Sequence, residues 1–125
     1  MLNGKRLLMI AKKKDAEPFM YLLNARGVAV QLVEDFSDAF AVAQKWQPQV
    51  MVFLLPVYWE SIVDLVEKVK SDIDLMDMQI LYIGKLIEGG DLSVLQQYGV
   101  KTMALGPVPP QEMARFMDSM FGSMI

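Results

Sequence analysis

A chain of 125 residues, 54% of them hydrophobic, has enough apolar material for one buried core and too much for disorder. It holds no cysteine and no histidine, which excludes disulfides, thiolate nucleophiles, histidine bases and the commonest transition-metal ligands. A net charge of −3 argues weakly against nucleic-acid binding, and no apolar run approaches the roughly 20 residues that span a bilayer.

Lys5 to Ala11 is a compact apolar run of strand length. Lys5 and Arg6 on one side and Lys12 to Lys14 on the other flank only Leu7 to Ala11, too short a segment for a signal-peptide core. A soluble, cytoplasmic protein without a cofactor is therefore expected. Phe19, Leu22 and Leu23 then recur at helical spacing, and Gly27 stands where a helix-ending glycine belongs. Val28 to Val33 is β-branched and partly alternating, which predicts a second strand. Ser37 is the expected cap of a helix through Trp46 with Ala39, Ala43 and Trp46 on one face, and Pro48 ends it.

Val50 to Leu55 is the most apolar run and lacks polar alternation, as a strand covered on both faces should. Ser61 and Asp64 suit a capping box for a helix carrying Ile62, Leu65, Val66 and Val69. Gln79 to Ile83 predicts a fourth strand. Asp91 is the expected cap of a short helix with Leu92 and Leu95, closed by Gly99. Lys101 to Leu105 predicts a fifth strand, and Pro107, Pro109 and Pro110 lead to a last helix with an apolar stripe from Met113 to Met124. Strands alternating with helices of this length imply βαβ crossovers, a parallel sheet and a doubly wound α/β domain spanning residues 1–125, with helices on both faces.

Two segments carry a resemblance to a known family. Pro48-Gln49-Val50-Met51-Val52-Phe53-Leu54 resembles the third-strand segment of response-regulator receivers, which ends in the phosphoacceptor aspartate. Gly99-Val100-Lys101, strand Thr102 to Leu105 and Gly106-Pro107 resemble the family's fifth strand and its lysine-proline step. The resemblance implies a flavodoxin-like sheet of five strands in the order 2-1-3-4-5. It also implies a cis bond between Gly106 and Pro107.

The departures from the family pattern bear on function. Ala11 and Lys12 stand where receivers carry an acidic pair that holds magnesium. The phosphoacceptor position falls on Leu54, or on Leu55 if the register slips by one. Gly84 replaces the switch hydroxyl and Gly106 the switch lysine. Magnesium needs hard oxygen ligands, and a leucine offers no nucleophile. The pattern predicts a degenerate pseudo-receiver outside the chemistry of a phosphorelay: no enzyme, no metal site, no catalytic residue.

Other features admit two readings each. Lys12, Lys13, Lys14 and Lys85 fall at the carboxyl end of strands one and four, where open α/β sheets bind ligands. They form either a basic mouth for an anion or a solvated loop partly balanced by Asp15. Tyr58 and Trp59 either anchor a partner or fold over the mouth. Receivers often dimerise or bind targets through helix four, strand five and helix five, which extends by resemblance to Leu95, Tyr98, Met103, Met113 and Phe116. Core is the favoured reading for most of these, with one or two left at an interface, since methionine-rich faces adapt to partners. The carboxylates Asp35, Glu60, Asp64, Asp72 and Asp74 show no convergence in the sequence.

The function expected from this reading is signal transduction by protein–protein contact, independent of phosphate. The partner is a protein or a second copy, with neither nucleic acid nor membrane involved. The rival is a small anion- or nucleotide-binding domain using the basic mouth. Against it, AKKKD stands where a glycine-rich phosphate loop would follow strand one.

Overall fold

The computed structural model describes residues 5–55, 61–84, 89–104 and 115. Its elements alternate without exception: β1 (Arg6–Ile10), α1 (Lys13–Ala25), β2 (Ala29–Val33), α2 (Phe36–Trp46), β3 (Val50–Leu55), α3 (Ser61–Ser71), β4 (Gln79–Gly84), α4 (Gly90–Gln97) and β5 (Lys101–Ala104). All strand pairs are parallel, in the order β2-β1-β3-β4-β5. The expected last helix lies outside the described residues apart from Arg115, as does the bond between Gly106 and Pro107.

The alternation of side chains along a strand divides the core between the two faces of the sheet. Leu7, Met9, Val50, Val52, Leu54, Leu81 and Ile83 pack with Ala16 and Leu23 of α1. Leu8, Ile10, Met51, Phe53, Ile80 and Tyr82 face the other way, against α2, α3 and α4. Leu7–Ile10 of β1, Val50–Leu54 of β3 and Ile80–Ile83 of β4 are apolar and buried, as strands covered on both faces should be. Burial pushes the Tyr82 phenol up to about 12. It is neutral at any physiological pH.

The helices dock as their periodicity requires. Ile62, Leu65, Val66 and Val69 are all buried, as their spacing in α3 predicts. Pro18 falls inside α1 but on its exposed side, where water can reach the carbonyl left without a donor. Gly27 and Gly99 close α1 and α4 at φ 83° and 79°, a region that costs glycine nothing. Below α3, the Lys70 ammonium donates to the carbonyls of Met76 and Met78 at 3.0 and 2.8 Å, tying the turn before β4. Burial draws the Lys70 pKa down, against the opposing charge of Asp77.

Three caps differ from expectation. Asp35, not Ser37, caps α2: its carboxylate accepts the Ser37 backbone N–H at 2.9 Å from an extended backbone. A carboxylate is the stronger acceptor and also complements the helix dipole. Gly89 takes the cap position of α4 without a side-chain bond, which leaves Asp91 in the first turn. α3 is already helical at Ser61, so Ser61 is not its flanking cap, and Asp64 lies in the first turn. The hydrogen bond from Ser37, reinforced more weakly by the charge of Lys12, holds the Asp35 carboxyl below its ordinary value.

A carboxyl with a depressed folded-state pKa stabilises above its unfolded pKa of about 3.9 and loses that contribution as pH falls through the folded value. Asp35→Ala is therefore expected to lower the melting midpoint at neutral pH. The difference from wild type should shrink in acid below about pH 4, as parallel thermal melts would show.

Candidate functional site

The carboxyl ends of the strands are where this architecture places ligands. Four segments meet there: Ala11 and Lys12 after β1, Glu34 and Asp35 after β2, Leu54 and Leu55 ending β3, and Gly84 ending β4. The Ala11 N–H donates to the Val33 carbonyl at 3.1 Å, which extends the β1–β2 pairing by one residue. Gly84 pairs with Leu55 on one side and Ala104 on the other.

Leu54 and Ala11 are each only 2% exposed and belong to one apolar cluster with Ala16 of α1. Leu54 extends the row Val50–Val52 and stands beside Ile83 of the neighbouring strand. Among the described residues, the side chains of Ala11 and Leu54 at the ends of β1 and β3 are thus aliphatic and buried. Among the described residues no cluster of carboxylates is arranged to hold a metal ion.

The basic segment is arranged differently from a loop. Lys12 is the residue before α1, and Lys13 and Lys14 form part of the helix's first turn, all three exposed. Cations at a helix N-terminus oppose its dipole. The strand-two end offsets them: Glu34 Oε1 accepts the Lys13 backbone N–H at 2.9 Å, and the Asp35 carboxylate feels the charge of Lys12. Glu34 was not legible as a site residue, because its contact crosses 21 positions of sequence.

The remaining candidates separate. Leu95 is fully buried against the α2–α3 side of the sheet and offers nothing to a partner, which corrects the surface expected from resemblance. Its place on α4 puts it under the helix, since a short helix buries its single apolar ridge. Tyr98, at the end of α4, is 37% exposed. Met103 is placed by its backbone in β5, opposite Ile83. Tyr58, Trp59, Glu60, Lys85, Gly106, Met113 and Phe116 lie outside the described residues. Of the other carboxylates, Asp72 accepts from Gln44 and from the Asp74 backbone N–H, a local structural role remote from the mouth.

No family model matches the chain, and no curated protein matches it significantly. Solved structures do. The chemotaxis response regulator CheY4 of Vibrio cholerae is similar over 94% of this chain and 98% of its own, with a TM-score of 0.77 at 16% identity. The signal receiver domain of a signal transduction histidine kinase from Syntrophus aciditrophicus matches over 96% of this chain and 92% of its own, with a TM-score of 0.76 at 15% identity. The Mn(2+)-bound response regulator Rcp1 gives 0.76 at 14% identity, with 94% of each chain covered.

The fold is that of a response-regulator receiver. At such identities the likeness concerns architecture, and the strand order, parallel pairing and helix placement all agree with it. In a receiver fold, the ends of β1, β3, β4 and β5 converge on one mouth. This chain brings Ala11, Leu54, Gly84 and Ala104 to those strand ends.

Proposed function

We propose that the chain is a degenerate member of the receiver family, acting in signal transduction as a phosphorylation-independent protein-interaction module rather than an enzyme. The observation that carries this reading is Leu54. It stands at the end of the central strand, where the resemblance puts the phosphoacceptor, and it is packed into an apolar cluster with Ala11. A leucine has no nucleophilic oxygen, and an alanine beside a lysine is no magnesium ligand. A module without the acyl phosphate acts through fixed contacts in the cell interior. Among the described residues, Tyr98 and the exposed Lys101 and Thr102 of β5 support the α4–β5 side as the surface for a protein partner or a second copy.

The rival role, binding of a small anion or nucleotide, is disfavoured by a specific contact. Glu34 already accepts an N–H at the first turn of α1, and its charge would repel a phosphate there. Thermal-shift titration with phosphate, nucleotides and cyclic dinucleotides separates the two roles, because a ligand well above its Kd raises the melting temperature.

The direct test uses acetyl phosphate with magnesium, followed by intact mass measurement. The expected mass is unchanged. A stable gain of one phosphate, mapped to Asp15 or Asp35, would overturn the reading.

A further inference from the structure

α2 and α3 lie side by side, with Phe36, Phe40 and Gln44 spaced four apart on α2 facing Asp64 and Lys68 of α3 and Asp72 in the turn that follows it. The lower end is closed by the hydrogen bond from Gln44 Nε2 to Asp72 Oδ2 at 3.0 Å. The upper end is open. There a cavity of about 350 Å³ lies between Phe36, Phe40 and Leu65, with Ser37, Asp64 and Lys68 at its lip.

The charges at the lip are unequally engaged. The Lys68 ammonium lies 5.5 Å from the centre of the Phe40 ring, so its charge is turned onto the aromatic face. Asp64 and Glu67 are exposed, and among the described residues neither makes an ion pair or hydrogen bond. With Lys68 and Ser71 they border a second, shallower depression that continues the first along α3. An apolar slot thus opens beside two uncommitted carboxylates, while the nearby cation is occupied within the protein.

From this we infer that the α2–α3 groove docks a basic amphipathic peptide segment of a partner protein. One bulky apolar side chain enters between Phe36, Phe40 and Leu65, and flanking lysines or arginines reach Asp64 and Glu67. This surface is distinct from the α4–β5 side and stands whether or not that side is used. Opposite charge at the rim sets approach rate and selectivity, and the buried apolar contact sets residence.

The test uses two synthetic peptides that share one apolar pattern, one with lysines and one with glutamates on the flanks. Both are titrated into the isotope-labelled full chain and followed by amide NMR. The lysine peptide is expected to shift the resonances of Phe36, Phe40 and Leu65, and the glutamate peptide to leave them unmoved. Asp64→Lys with Glu67→Lys should weaken the lysine peptide about tenfold or more. Raising salt should weaken its binding to the unmodified chain, a readout that needs no variant. Absence of shifts, equal shifts with both peptides, or shifts away from α2 and α3 would overturn the proposal. These outcomes are independent of the acetyl phosphate result, so failure here leaves the absence of phosphorylation standing.

Discussion

Leu54→Asp is expected to destabilise the protein by about 3–5 kcal/mol, the typical cost of a buried charge left without a partner. Leu54 is 2% exposed, and among the described residues its apolar cluster, with Ala11, Ala16, Val52 and Ile83, offers the carboxylate no side-chain donor. For a domain of this size each kcal/mol moves the melting midpoint by about 4 °C, so the drop should be obvious in a simple melt. Burial also raises the new carboxyl above its unfolded pKa of about 3.9. The penalty is then full above the folded-state pKa and fades as pH falls through it. The gap from wild type should accordingly be wider at about pH 8 than at about pH 5.

Magnesium should leave the variant's midpoint where it was, since the side chains of Ala11 and Lys12 at the end of β1 offer the ion no oxygen ligand. Stabilisation of the variant by magnesium would show that the mouth still holds a metal. Leu54→Met, which keeps volume and apolarity, should cost under about 1.5 kcal/mol.

Phe53→Ala should cost about 3–5 kcal/mol for a different reason. Phe53 is fully buried on the opposite face of the same strand, and its ring lies 5.6 Å from that of Phe36 at a tilt of 55°. Removing it leaves a cavity beneath α2, and a parallel sheet paired on both sides cannot collapse to fill it. Because Phe36 lines the α2–α3 groove, its resonance should shift in the variant while α1 stays unaffected. Phe53→Leu, which retains most of the volume, should recover the greater part of the loss. Denaturant melts of the three proteins give the comparison, and equal stability of Phe53→Ala and wild type would refute the packing described.

Period and burial were legible in the sequence wherever local pattern and tertiary packing agree. The uninterrupted apolar run Val50 to Leu55 has the pattern of a strand covered on both faces, and it is the middle strand of the five. Ile62, Leu65, Val66 and Val69 declared the buried ridge of α3 by spacing alone. Caps were less legible, because Ser37 and Asp35 are both competent acceptors and only the backbone path selects Asp35. Leu95, a surface candidate by resemblance alone, is core, because a family's habit says nothing about which side of this α4 faces the sheet.

The sequence by itself determined the alternating α/β architecture. That depends on periodicity, which a chain carries whatever its packing. The tertiary structure alone decided that Leu54 and Ala11 share one apolar cluster, and that Glu34 satisfies the first turn of α1. It alone decided, too, that Phe36 and Phe40 face Leu65 and Lys68 across a groove. Each of these joins residues from separate elements, and such contacts exist only once the crossovers have brought those elements together.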